Sequence, residues 1–162
     1  MAKTDFRVGH GFDVHQLVPD RKLILGGVEL AHPLGLLGHS DADVLLHALT
    51  DALFGALALG DIGTWFPDSD PANKDLDSSI FLKRAASEIA QRGWGLCNCD
   101  CVLMAQRPKL MDHLPSMRER IATLLEVSID LIGIKATTTE KLGFVGREEG
   151  IAASAVVLLS RV

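Results

Sequence analysis

The chain has 162 residues, 48% hydrophobic and 23% charged, with 16 Lys and Arg against 21 Asp and Glu for a formal charge of −5. That length is enough for one core and predicts a single domain over residues 1–162. The acidic balance excludes nonspecific partners such as nucleic acid or an anionic membrane, but not an anionic small molecule held by local cations, metals or helix termini.

Residues 1–7 lack the apolar core of a signal peptide. The alternation of Phe6, Val8, Phe12 and Val14 with Arg7, Asp13 and His15 predicts a strand, in which Gly9 and Gly11 admit the close approach of another backbone. Residues 23–25 and 28–30 flank Gly26 and Gly27 as a hairpin. Ser40 ahead of Asp41, Ala42 and Asp43 predicts an N-cap and a helix over 41–59, with Leu45, Leu46, Leu49, Ala52, Leu53, Ala56 and Leu57 on its apolar face. His47, Thr50 and Asp51 interrupt that apolar stretch, so nothing reaches the roughly 18 clean residues of a membrane span.

A loop over 61–75 precedes a helix over 78–91 that stops at Gly93. Residues 97–105 read as a strand with Cys97, Cys99 and Cys101 on one side, either small core side chains or a soft-metal site. Three cysteines without an export signal predict a reducing compartment, the cytoplasm. A third helix runs from about Pro115 to 126, and strands follow over 131–137 and 151–159, the last apolar or small throughout. The fold class is α+β: a mixed sheet with about three helices on one face, its other face requiring cover from another subunit.

Four segments can carry chemistry. Asp13 and His15, two apart on a strand, point the same way, and His47 supplies a third ligand from the first helix. One carboxylate and two imidazoles with an open position suit a catalytic zinc, and equally non-haem iron, with Asp43 or Asp51 to orient His47. The same residues also read as a surface pair and a helix-face histidine. His39 and Ser40, in the segment Gly38-His39-Ser40-Asp41, stand where a helix N-terminus attracts phosphate, although Ser40 is equally a cap. Thr137, Thr138, Thr139 and Glu140 offer hydroxyls and one hard oxygen ligand for a diphosphate and its cation, or form a threonine-rich edge strand. Residues 105–111 leave a strand into a proline-stiffened loop where backbone groups can read a base and Lys109 can meet a phosphate. There is no P-loop and no G-x-G-x-x-G pattern.

Together, Val8-Gly9-His10-Gly11-Phe12-Asp13-Val14-His15, Gly38-His39-Ser40-Asp41-Ala42-Asp43, Leu59-Gly60-Asp61-Ile62-Gly63 and residues 135–146 resemble the 2-C-methyl-D-erythritol 2,4-cyclodiphosphate synthase family of the non-mevalonate isoprenoid pathway. The resemblance runs from Arg7 through Leu159. It implies conversion of 4-diphosphocytidyl-2-C-methyl-D-erythritol 2-phosphate to the cyclic diphosphate and CMP, by attack of the 2-phosphate on the β-phosphorus. It also implies zinc on Asp13, His15 and His47, a second divalent cation (Mg2+ or Mn2+) on Glu140, and transition-state stabilisation by His39 and Thr138.

The same resemblance assigns substrate contacts. Asp13, Val14, His15, His39, Ser40, Asp61, Ile62 and Gly63 match the methylerythritol phosphate site, beside a mobile loop of Phe66, Pro67, Asp68, Ser69 and Asp70. Ala105, Gln106, Arg107, Pro108, Lys109, Leu110 and Met111 match the cytidine and phosphate pocket together with Thr137 and Thr138, and Thr139, Glu140, Phe144 and Arg147 match further ligand contacts. It implies a homotrimer with active sites between adjacent subunits. Ala42 stands where a glycine is frequent, and alanine there is expected to favour the helix. Glu148 stands where many members have glycine, near a central apolar channel, and so bears on a channel ligand rather than on the chemistry. Two other classes fit the same residues: a zinc-dependent phosphohydrolase, and a noncatalytic oligomer that binds isoprenoid diphosphates.

Overall fold

The computed structural model describes residues 5–67 and 69–162. In chain order the elements are β1 (Phe6–Val18), β2 (Leu23–Leu25), β3 (Val28–Leu30), β4 (Gly35–Leu36), α1 (Val44–Ala56), α2 (Ile62–Trp65), α3 (Ser79–Gln91), β5 (Trp94–Met104), α4 (Leu114–Leu125), β6 (Ile132–Thr137), α5 (Gly143–Gly146) and β7 (Gly150–Arg161). Five strands form one mixed sheet in the order β4-β1-β7-β5-β6, and β2 pairs with β3 in a separate hairpin. Only β5 and β6 run parallel, because the chain between them passes through α4; the other pairs are antiparallel. The architecture is therefore α+β with a mixed sheet, as the sequence predicts. Among the described residues no helix is long and apolar enough to cross a membrane.

The core lies between this sheet and α1, α3 and α4. Leu45, Leu46, Leu49 and Leu53 of α1 and Ile151, Ala153, Ala155 and Val157 of β7 are all fully buried there. Glycines bring α1 onto β1: a Cβ on Gly9 would stand 1.8 Å from the Ala52 carbonyl oxygen, and one on Gly11 1.9 Å from that of Ala48. The even-numbered residues of β1 point to the opposite face, which no element among the described residues covers. Phe6 is 60% and Val8 67% exposed, and Phe12, Val14 and Val156 are exposed beside them.

The helix predicted from Asp41 begins instead at Val44. Asp43 is its N-cap, its carboxylate accepting from the amides of Leu45 and Leu46 and also from Gly26 (2.9 Å) and Gly27 (2.6 Å) in the hairpin turn. Ser40 does not cap the helix: its hydroxyl oxygen accepts from the Ala42 amide in the turn before it. Ala42 is not helical: its φ of 58° lies in the left-handed region, so alanine is strained there where glycine would not be. The cysteines do not share one face, because a bulge between Leu96 and Asn98 puts Cys97 out of register and leaves only Cys99 and Cys101 buried. The loop over 61–75 holds α2 and a 3₁₀ turn at Pro71–Asn73.

Candidate metal centre and substrate cavity

Strand β1 and helix α1 carry the central cluster. On β1, period-2 alternation turns Asp13 and His15 toward α1, and the glycine contacts bring His47 within reach of both. Asp13 Oδ2 lies 2.9 Å from His15 Nε2 and 3.0 Å from His47 Nδ1, and the two imidazole nitrogens are 3.1 Å apart. Among the described residues this is the one group of three or more His, Cys, Asp or Glu whose ligand atoms converge within 4.8 Å. The other nitrogen of His15, Nδ1, donates to the Leu37 carbonyl at 2.7 Å, so in the neutral ring Nε2 is the lone pair, aimed at Asp13 and His47. A carboxylate and two imidazoles gathered this way, partly buried at the wall of a cavity, fit a divalent cation with a coordination position left open.

Desolvation acts on both ends of the Asp13–His15 pair, and in both the pair interaction wins. Burial raises Asp13, but hydrogen bonds from His15 and His47 and their charge hold it down at about 2. Burial lowers His15, but the Asp13 carboxylate and the Leu37 carbonyl leave it above its ordinary 6.5. A cation must displace the proton that His15 holds, whereas Asp13 is already ionised. Apparent Zn2+ affinity in a competition titration is therefore expected to fall as pH drops from about 8 to about 6, by about tenfold per unit once His15 is protonated. An affinity that stays level over that range would contradict this coupling.

The cluster lines an open cavity of about 450 Å³ with Leu37, Gly38, His39, Ser40, Asp51, Ile62, Gly63, Phe66, Asn73 and Phe81. His39 is exposed at this wall, whereas Ser40 is buried. Sequence reasoning missed Phe81 and Asn73. Phe81 packs, tilted, between His47 (5.7 Å) and Phe66 (4.6 Å), an arrangement that its place on the apolar stripe of α3 conceals. Val14 points to the opposite, open face. Asp61 caps α2 through Thr64 and does not line the cavity. Pro67, Ser69 and Asp70 are exposed in the loop, Asp70 accepting from Ala72, and Asp68 lies outside the described residues.

Two expectations about the helix fail. Asp43 does not orient His47, since its carboxylate is fully buried on four backbone amides, and Asp51 accepts instead from the Ile62 amide at 2.8 Å. Burial pushes Asp43 up to about 6, against the pull of those amides. Because that carboxylate fills the α1 N-terminus, the terminus is closed to phosphate.

The remaining candidates form a second group. Register places Val14 opposite Ala152, Ala152 opposite Met104 and Met104 opposite Thr137, so the threonine loop stands at the same end of the sheet as the cluster. Three strand spacings separate them, about 14 Å. The Ala105 amide donates to the Thr137 carbonyl, and the Lys141 amide to Gln106 Oε1, tying the two loops together. Thr138 Oγ1 donates to Glu140 Oε1 at 3.0 Å, and Thr139 Oγ1 to the Leu142 carbonyl. Glu140 (φ 52°) and Lys141 (φ 64°) are both left-handed, a strained pair of the kind that persists where a loop must present particular groups. Arg107 pairs with Glu148 at 3.3 Å and Arg147 with Glu149 at 2.9 Å. Pro108, Lys109, Met111 and Phe144 are at least partly exposed, whereas the side chains of Ala105 and Leu110 belong to the core.

A model of the YgbB family matches residues 6–160. The chain belongs to this family. The 2-C-methyl-D-erythritol 2,4-cyclodiphosphate synthase of Bacillus cereus (strain ATCC 10987 / NRS 248) is 58% identical over 156 residues, covering 96% of this chain and 99% of its own. The bifunctional IspDF from Campylobacter jejuni superposes with a TM-score of 0.94 at 45% identity over 99% of this chain, which spans 43% of that longer protein. The IspF of Plasmodium falciparum, in complex with CDP, gives 0.87 at 32% identity over 99% of both chains. These relatives carry the name, or the abbreviated name, of the family that the sequence segments resemble.

Proposed function

We propose that this protein is a 2-C-methyl-D-erythritol 2,4-cyclodiphosphate synthase acting in isoprenoid precursor biosynthesis. It closes 4-diphosphocytidyl-2-C-methyl-D-erythritol 2-phosphate into the cyclic diphosphate. One bond forms, from the 2-phosphate oxygen to the β-phosphorus; one breaks, between that phosphorus and the oxygen bridging it to the α-phosphorus; CMP leaves with the electron pair. The observation that carries the reading is the convergence of Asp13, His15 and His47 at the wall of a cavity that also holds His39 and Ser40. Membership of the family supports it.

The barrier is the mutual repulsion of two phosphate groups. A divalent cation bound to Asp13, His15 and His47 supplies Lewis acidity and neutralises phosphate charge, and we assign this role to zinc. The chain contributes position. His39, exposed at the cavity wall, donates to a phosphate oxygen, while Ser40 and the backbone at Ile62 and Gly63 flank the methylerythritol. Thr138 and Glu140 belong to the diphosphate and its Mg2+ or Mn2+, and residues 105–111 to the cytidine, with Phe144 and Arg147 beside them. Holding both reacting groups in line converts a repulsive encounter into a unimolecular step, with no covalent intermediate.

The two halves of this site stand about 14 Å apart in one chain. The apolar face of β1 and β7 is open. Both features support a homotrimer of single-domain chains in which the cluster of one protomer meets the threonine loop of the next. The protein acts in the cytoplasm.

A phosphohydrolase with the same cluster would release inorganic phosphate, whereas anion-exchange chromatography of the products is expected to give CMP and none. The shared site predicts complementation. His47→Ala and Glu140→Gln chains, each inactive alone by at least about 100-fold, should regain activity when refolded together, because some mixed interfaces carry both intact halves. Absence of recovery in mixed oligomers would contradict the shared site.

A further inference from the structure

The outer nitrogen of His47 enters a hydrogen-bond network behind the cation cluster. Its Nε2 lies 2.8 Å from Ser78 Oγ and 3.2 Å from Ser40 Oγ. Ser78, immediately before α3, is fully buried, yet its hydroxyl makes no cap bond to that helix. Instead it hydrogen-bonds the Asp41 carboxylate, which also accepts the Ser78 amide at 3.1 Å. Two backbone bonds clamp the same segments together, from the Asp75 amide to the His39 carbonyl (2.7 Å) and from the Asp41 amide to the Leu76 carbonyl (3.1 Å).

Donor and acceptor inventory assigns the protons. A carboxylate only accepts, so the single hydroxyl proton of Ser78 goes to Asp41. The lone pairs of Ser78 Oγ then receive the proton on His47 Nε2 and that of Ser40 Oγ, 3.3 Å away. Ser40 in turn accepts from the Ala42 amide. His47 is thereby held with a proton on Nε2, so that in the neutral ring it is Nδ1 that is bare and faces Asp13 Oδ2 (3.0 Å) and His15 Nε2 (3.1 Å).

We infer that Ser78, with Asp41 behind it, is a positioning residue for His47: the relay Asp41–Ser78–His47 sets the tautomer and ring orientation that make Nδ1 a cation ligand. The inference rests on the cation site proposed above. It gives Ser78, at the root of the segment carrying Phe66 and Asn73, a part in the metal centre that its sequence position conceals.

The test combines Zn2+ affinity with the imidazole nitrogen resonances of 15N-labelled protein, recorded without metal near pH 8 (about 1.5 units above a free histidine). Wild type should show the His47 proton on Nε2, a result that needs no variant to fold. Ser78→Ala should weaken Zn2+ binding by about tenfold to hundredfold, the range for the hydrogen-bond partner of a metal-ligating histidine. Asp41→Asn preserves shape but reverses polarity. Its amide donates to Ser78, whose hydroxyl then turns to His47, so the ring proton should move to Nδ1 and affinity should fall at least as far. A purely structural role would leave the tautomer unmoved. A wild-type spectrum with the proton on Nδ1, or both variants binding Zn2+ within about twofold of wild type, would overturn the relay. Wild type with the proton on Nε2 that takes up no Zn2+ would instead overturn the cation site and leave the relay standing.

Discussion

His47→Ala is expected to abolish turnover, lowering kcat by upwards of about 10³-fold. Loss of the partner behind a metal-ligating histidine already costs about 10- to 100-fold, and removal of the ligand itself leaves only Asp13 and His15 to hold a cation. The effect should lie in chemistry and metal content, not folding. His47 sits on α1 with its ring at the cavity wall, and alanine is the better helix former. Elemental analysis alongside CMP formation separates the two: bound cation should fall with activity while the melting temperature stays within a few degrees. A variant that keeps its metal and its full rate would remove the cluster from the mechanism.

Gly11→Ala carries the largest expected loss of stability. Its new Cβ would stand 1.9 Å from the Ala48 carbonyl oxygen and 2.8 Å from the Ala52 amide nitrogen, both backbone atoms inside α1. No rotamer relieves that overlap, so helix and strand must separate, at a cost of about 3 kcal/mol or more. For a chain of this size the melting temperature should fall by roughly 10 °C. Asp13 and His15 lie on the same strand two and four residues further on, so shifting β1 against α1 also loosens the cation site. Gly55→Ala supplies the opposite sign. There a Cβ meets only the His10 carbonyl at 3.9 Å on an exposed helical position, and the change should stabilise by about 0.4–1 kcal/mol. Thermal denaturation of both variants checks the pair, and equal shifts would contradict the backbone contact.

Local pattern carried the strands other than the two-residue β4, the three long helices and the Asp13–His15 pair, because period-2 alternation fixes which side chains share a face. Gly9 and Gly11 announced a close backbone contact. What stayed hidden depends on partners far along the chain. Asp43 wins the cap of α1 from Ser40 because its carboxylate also satisfies the Gly26 and Gly27 amides, which no local window contains. Ala42 reads as a helix former, yet the turn into α1 demands a left-handed residue. Ser78 reads only as the first residue of a helix, while its hydroxyl serves His47 on another helix. Spacing likewise does not reveal that β7 and β5 separate the cluster from the threonine loop, the separation that supports the proposed sharing of the site between protomers.

Turnover in 18O-labelled water, followed by phosphorus NMR, tests most directly whether one phosphate attacks the other within the substrate. Intramolecular closure predicts CMP and a cyclic diphosphate whose phosphorus resonances carry no isotope shift, since no water oxygen enters either product. An isotope-shifted CMP or phosphate resonance would mean that water is the nucleophile and that the cluster serves a hydrolase.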